Sequence, residues 1–230
     1  MDLQAKVKEI KQSFRQMMDG ATAQSMRQKG ADYRLNWGTT LPHLREMASD
    51  IIHSVNTSHQ TDNTCRDATC RAHHPSSATL ASLAIALWKE DVRECKILAT
   101  MIMPPEQMLP EIADIWMQQT TQLEIVEQQA FNLYQHVPFA AQKAFEWIAS
   151  DKELPQICGY HILSRLFMKG QEPNERGINE FIDQAIAALQ SNSVTLRKAA
   201  MQCMVHFSQL GLIYQRIARS ATQRCGLDII

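Results

Sequence analysis

Residues 193–211 read SVTLRKAAMQCMVHFSQLG, and their periodicity decides the fold class. Leu196, Ala199, Ala200, Cys203, Met204 and Phe207 recur at spacings of three and four, which puts them on one face of a 3.6-residue helix. Arg197, Lys198 and Gln202 fall off that stripe, and Gly211 stands where such a helix should stop. The same rhythm predicts helices at about 2–18, 21–29, 41–55, 78–88, 90–102, 106–118, 122–135, 138–149, 155–169, 175–190, 194–210 and 212–224. Pro42, Pro105, Pro138 and Pro155 fall at first-turn positions, where the missing N–H costs little, and Gly20 and Gly170 close helices. No window alternates with period two.

From residue 78 onward, short turns join helices of similar length. That pattern predicts antiparallel pairs stacked side by side. The expected architecture is an all-α solenoid of HEAT-like or armadillo-like helix pairs, one domain over residues 1–230; a compact helical bundle is the structural alternative. One stretch breaks the rhythm. Residues 56–77, NTSHQTDNTCRDATCRAHHPSS, are polar and aperiodic and read as a flexible surface insertion.

Composition narrows the function classes. The 230 residues are 45% hydrophobic and 20% charged, with a net charge of −1. The whole molecule therefore has no general attraction for nucleic acid or anionic lipid, and any such binding must use a local patch. No run of 18 apolar residues occurs, and the opening MDLQAKVKEIKQ is charged, so a cytoplasmic protein without a membrane partner is expected. Of six cysteines, Cys95, Cys158, Cys203 and Cys225 lie in or beside apolar helical stretches and read as small buried hydrophobes or free thiols. His59, Cys65, Cys70, His73 and His74 share the insertion and supply enough nitrogen and sulfur for a tetrahedral zinc. The Cys-x4-Cys-x2-His-His spacing is not that of a standard finger, and the insertion is read as carrying incidental Cys and His, with Cys65, Cys70 and His73 the metal candidates. No cofactor is implied.

Several stretches carry a resemblance. They are Trp37-Gly38-Thr39-Thr40-Leu41-Pro42-His43-Leu44-Arg45, then Leu87-Trp88 with Arg93-Glu94, then Leu109-Pro110-Glu111-Ile112, and finally Ala144-Phe145-Glu146-Trp147-Ile148. Together they resemble the AlkD-type DNA alkylation repair family, HEAT-like-repeat DNA glycosylases, over roughly residues 5–210. The resemblance implies a solenoid whose concave face cradles double-stranded DNA and which removes alkylated purines, using a carboxylate with Trp and Arg neighbours. Those residue types suit the chemistry: an alkylated purine is cationic and is drawn to aromatic faces, and a fixed carboxylate stabilises the positive charge that builds on the sugar.

Carried over by register, the family's Trp-x-x-x-Asp falls on Leu123 to Glu127. Glu127 would be the surviving carboxylate and Leu123 replaces the aromatic. The family's arginine falls around Gln156–Cys158, where there is none, and its second aromatic falls near Gln202. Glu carries its carboxylate ~1.5 Å further out than Asp, and a displacement of ~1 Å can cost about a hundredfold in rate. The expectation is a DNA-binding protein with weak, altered or absent excision activity, and whether it is an enzyme stays open. Without the family, Glu124, Glu127, Gln128 and Phe131 form one stripe that reads as a solvated polar helix face with Phe131 at its margin.

Charge is uneven along the chain. Residues 191–227 contain Arg197, Lys198, Arg216, Arg219 and Arg224 and no acid. With Arg165 and Lys169, four apart on an earlier helix, Arg197, Lys198, Arg216 and Arg219 are the candidate phosphate contacts; ordinary solvated surface is the other reading. Between Lys96 and Lys143 the bias reverses, with Glu106, Glu111, Asp114, Glu124 and Glu127 and no Lys or Arg. That acidic middle favours the alternative function, a non-catalytic scaffold binding a protein or peptide. Trp88, Trp116 and Trp147 read as core, and Trp37 as the most exposed aromatic. His136, His161 and His206 lie on separate helices with nothing in the sequence to bring them together.

Overall fold

A computed structural model describes residues 2–60, 75–224 and 226, apart from the side chains of residues 58–60 and 75. Among these residues there are twelve α-helices and no strand: α1 Leu3–Gln16, α2 Gly20–Gln28, α3 Leu41–Gln60, α4 Pro75–Trp88, α5 Arg93–Ile102, α6 Pro110–Gln118, α7 Leu123–Gln128, α8 Ala140–Ile148, α9 Glu153–Met168, α10 Glu175–Leu189, α11 Val194–Ser208 and α12 Leu212–Arg224. No described helix is long and apolar enough to cross a membrane. The chain forms two compact units, Met1–Trp116 and Met117–Ile230.

Several expected boundaries change. Helix α3 continues to Gln60 and α4 begins at Pro75, so residues 56–60 and 75–77 are helical rather than part of an insertion. Cys65, Cys70, His73 and His74 lie outside the described residues, as does the His59 side chain. The helix expected at 106–118 begins at Pro110, because Pro105 opens a separate 3-10 turn, Pro105–Gln107. The single helix expected at 122–135 is three pieces: α7, a π-helical turn Gln129–Leu133 and a 3-10 turn Tyr134–His136. Gln129 explains the break. Its side chain is fully buried, accepts from Thr120 Oγ1 at 3.3 Å and donates from Nε2 to Tyr134 Oη at 3.2 Å. A buried amide gains most when its groups are paired, and the wider turn lets both ends reach partners.

In the first unit α1 packs on α4, α3 on α4 and α5, and α4 on α5. The apolar stripes account for this packing. Val7, Ile10 and Phe14 form the inner face of α1, and Leu44, Ala48, Ile51 and Val55 that of α3. Trp88 and Trp116 stack in parallel, with centroids 4.2 Å apart. Trp37 is not the exposed aromatic expected: it is 6% exposed, its ring 5.6 Å from that of Phe14.

A polar knot holds the segment around Trp37. Glu94 Oε1 accepts from the backbone N–H groups of Trp37 (3.1 Å) and Thr39 (3.2 Å) and from Arg93 Nη1 (3.3 Å). Arg93 Nη1 also donates to the Thr39 carbonyl at 3.0 Å. Gly38 completes the turn at φ +75°, and a Cβ there would lie 2.1 Å from the Asp19 carbonyl oxygen, so only glycine fits.

In the second unit the helices alternate between two layers. Helix α9 packs on α8, on α11, and on α7 with its π turn, while α10 contacts α8, α11 and α12. One layer is therefore α7, α9 and α11, the other α8, α10 and α12. Gly159 lets α8 and α9 approach closely: a Cβ there would meet the Ala144 carbonyl oxygen and Ile148 Cγ2, both at 2.7 Å. Phe167, Phe181 and Phe207 cluster with ring centroids 4.9–5.5 Å apart, binding α9, α10 and α11. Residues of the deciding stripe, Leu196, Ala199, Ala200, Cys203, Met204 and Phe207, are all buried. Cys95, Cys158 and Cys203 are buried free thiols, and burial pushes each upward in pKa, Cys95 to about 12. They are inert packing atoms at neutral pH.

Candidate functional site

The α7–α9–α11 layer carries partly exposed ionisable side chains, among them Glu127, His161, Arg165 and His206. Glu127, on the last turn of α7, is partly buried and has no hydrogen bond or ion pair among the described residues. Burial raises its pKa above the usual glutamate value, and the Glu124 carboxylate adds to the rise. A charged group desolvated without a partner is expensive, so its retention marks a site candidate. The reading of Glu124 to Phe131 as a solvated face is corrected in part: Gln128, 7% exposed, is buried and accepts from Asn132 Nδ2 at 3.1 Å.

Phe131 follows Glu127 in the π turn, and two groups from α9 converge on its ring. The Arg165 guanidinium lies over it at 4.5 Å from the centroid, and the His161 ring meets it edge-on at 5.1 Å. Arg165 has no carboxylate partner among the described residues, so its charge is balanced only by the ring face. His161 and Arg165 are four apart on α9 and share a face. Burial, with Arg165 second, lowers the His161 pKa to about 4 and holds the ring neutral at pH 7.

Arg165 also depresses His206 of α11, after burial, and the His206 Nδ1 is hydrogen-bonded to Ser164 Oγ. Two of the three histidines that the sequence left scattered thus border one cation. The third, His136, is lowered by burial and then by Lys169, whose Nζ donates to the Gln135 carbonyl at 3.4 Å.

The remaining sequence candidates occupy other places. Lys198 is exposed on the first turns of α11, whereas the Arg197 guanidinium is tied back to the Ser191 carbonyl. Arg216 and Arg219 are exposed on α12, in the other layer. Of the sequence candidates, the structure therefore brings Arg165 onto Phe131, while Lys169 reaches Gln135 and His136. Leu123 is partly buried at the start of α7, one turn before Glu127, at the position where the family register has its aromatic. Among the described residues no group of three or more His, Cys, Asp or Glu side chains is arranged to hold a metal ion.

With the geometry in view, the family model for the DNA alkylation repair enzymes matches residues 10–205, most of the chain. The chain belongs to that family. No curated protein matches it. A solved structure, described as representing a new family of proteins related to the HEAT-like repeat DNA glycosylases with affinity for branched DNA structures, superposes with a TM-score of 0.72 at 15% identity, over 94% of this chain and 82% of that one. The fold class is accordingly the HEAT-like α-solenoid, as the helix rhythm predicts. Register with the family pointed to Glu127 as a candidate carboxylate. It missed the contribution of α9, because His161 and Arg165 meet Phe131 only through the packing of α9 on the π turn. The signal available in the sequence was the His161–Arg165 pair itself, at the i,i+4 spacing of a single helix face.

Proposed function

We propose that this family member binds double-stranded DNA, including branched or distorted forms, through the α7–α9–α11 face, and that any excision of alkylated purines there is weak or altered. The observation that supports this reading best is the Phe131–Arg165 stack, whose guanidinium has no carboxylate partner among the described residues. Arg165 has neutral neighbours and a planar donor fork to spend on a phosphate. Lys169, Lys198 and Arg197 would extend the phosphate track, and Arg216 and Arg219 would add a separate contact from α12. The preference for branched forms is carried over from the structurally similar protein, whose description states that affinity. That both units serve DNA as one domain is part of the same proposal.

Glu127 would act as the carboxylate that stabilises a cationic sugar. Without an aromatic at position 123, and with the longer Glu side chain, it would do so inefficiently. The alternative of a protein or peptide partner gains nothing from the family or the fold.

Fluorescence anisotropy with paired duplex DNA across a salt series tests the binding. Affinity should fall steeply with salt, and salt-independent or undetectable binding removes the reading. Release of 3- or 7-methylpurine from alkylated DNA tests the chemistry, with Glu127→Gln as control: a variant equal to the wild type denies Glu127 a catalytic role.

A further inference from the structure

Helix α1 of the first unit carries a charged face that the site above does not use. A depression of about 230 Å³ lies against it, lined by Gln4, Lys8, Lys11, Gln12 and Arg15 of α1 and by Glu90, just after α4. These α1 positions recur at spacings of three and four and so form one stripe. Lys8, Gln12 and Arg15 are exposed, while Val7, Ile10 and Phe14 bury the inner face of the helix.

The stripe is not built like an ordinary solvated helix surface. There a cation has an acid three or four residues away, as Lys6 has Glu9 at 2.8 Å. Within α1, the residues three and four from Lys8, Lys11 and Arg15 are other cations, glutamines or apolar groups. Lys8 and Lys11 stand three apart and Lys11 and Arg15 four apart, spacings at which like charges repel and weaken the helix. Helix α4, on which α1 packs, has no charged residue to offset them. Asp19, four residues past Arg15, is spent on the first N–H groups of α2. Among the described residues the one carboxylate lining the depression is Glu90, whose Oε2 accepts from Lys11 Nζ at 2.7 Å. Lys8 and Arg15 have no hydrogen bond or ion pair among the described residues.

Two free cations on either side of a fixed one, with glutamine amides between them, suit a polyanion of regularly spaced charges. Seven residues separate Lys8 from Arg15, ~10.5 Å along the axis, and phosphates on one strand of B-DNA rise ~3.4 Å each, so the stripe covers about three. An anionic membrane surface would need apolar side chains beside the cations, whereas the exposed positions of α1 carry glutamine, alanine or charge. Gln4 and Lys8 precede the residues that the family model matches, so family membership does not imply this stripe. We propose that Lys8, Lys11 and Arg15 of α1 form a second DNA-backbone contact, separate from the α7–α9–α11 face. Gln4 and Gln12 donate to the same phosphates, and Glu90 tempers the contact by neutralising Lys11. The inference rests on the DNA-binding reading and adds to it a contact that is blind to sequence, since phosphates carry no base information.

Anisotropy with a paired duplex across a salt series reads both the affinity and the number of phosphates neutralised. The double variant Lys8→Ala/Arg15→Ala should bind about tenfold more weakly, with the salt slope reduced by about two. Glu90→Gln should do the opposite and tighten binding, because it releases Lys11 from its partner. Lys6→Ala removes the same unit charge as Lys8→Ala, but from the side of α1 paired with Glu9, and should leave the salt slope unchanged. Thermal melts confirm that the variants fold. Wild-type affinity and slope in the double variant, or a loss from Lys6→Ala equal to that from Lys8→Ala alone, overturns the α1 contact. Duplex binding by the wild type, weakened by Arg165→Ala, would then still stand. Undetectable or salt-independent binding by the wild type overturns the DNA reading and the α1 contact with it.

Discussion

Glu94 in the first unit and Glu127 in the second are both carboxylates on short helices, withdrawn from water to different degrees, and their surroundings differ in one respect. Glu94 is 0% exposed, and its Oε1 is met by two backbone N–H groups and a guanidinium. Glu127 keeps part of its surface in water and, among the described residues, has no hydrogen bond or ion pair. The same contrast holds for the arginines. Arg93 is 1% exposed and spends its guanidinium on Thr39 and Glu94, whereas Arg165 spends its own on a ring face. Charges met by the chain organise it around them, even though Glu94 keeps one buried oxygen, Oε2, without a partner; charges held by packing and met by no described group are available to something that is not the chain. On the proposal above, the contrast would leave Glu94 and Arg93 to folding and Glu127 and Arg165 to binding.

The largest effect should come from breaking the satisfied side. Glu94→Ala strips the acceptor from three donors and leaves the buried Arg93 charge uncompensated, which should cost roughly 3–5 kcal/mol in denaturant unfolding. A loss near that of a surface substitution would show that the knot does not organise residues 35–39.

Next in size is an acid response confined to the open face. His161 titrates near 4 when folded against an ordinary 6.5, so the unfolded chain takes up a proton that the folded chain refuses. The group's contribution is intact above pH 6.5 and is lost as pH falls from there toward 4, by as much as ~3 kcal/mol. His161→Gln should flatten that part of the stability–pH curve. An unchanged curve would place the imidazole in water rather than against Phe131.

These two side chains also show what was legible in the sequence. The stripe from Leu196 to Phe207 could be read directly, since helical periodicity is local and each of its residues is buried as the spacing requires. Glu127 was proposed by register. The Phe131 stack was not legible, because its partners come from a helix some thirty residues away and the Gln129 network breaks the helical turn between them. Trp37 was misplaced for a related reason. In sequence it sits in a connection between helices, and only the distant Glu94 shows that the connection is pinned inside the first unit. Side chains spaced along one helix are predictable from the sequence, whereas groups that meet through tertiary packing need the structure.

A smaller effect on stability, and a larger one on binding, separates Arg165 from Arg93. Arg165→Ala removes a cation–π contact of about 0.5–1 kcal/mol at a partly exposed site, so the unfolding midpoint should move little. Duplex affinity should fall about tenfold, and the salt slope should decrease by about one, the signature of one lost phosphate contact. If stability drops as far as for Glu94→Ala while DNA affinity holds, the two arginines play the same part and the contrast fails.

The smallest and most diagnostic effect is that of Glu127→Gln on stability, where the sign carries the information. Burial and Glu124 raise the folded pKa of Glu127 above its unfolded value, so the folded chain binds that proton more tightly. The group therefore favours folding fully only when protonated in both states, below the unfolded pKa, and that advantage is lost as pH rises through the folded pKa. It works increasingly against the fold as pH rises, and at pH 7 the neutral amide should raise the melting midpoint slightly. At a pH below the ordinary carboxylate range wild type and variant should coincide. An ion-paired glutamate would give the opposite result, a destabilised variant at pH 7 whose deficit closes in acid. A residue that weakens the protein at the pH where it works, while its removal weakens DNA binding or base release, is held there for its ligand rather than for the fold.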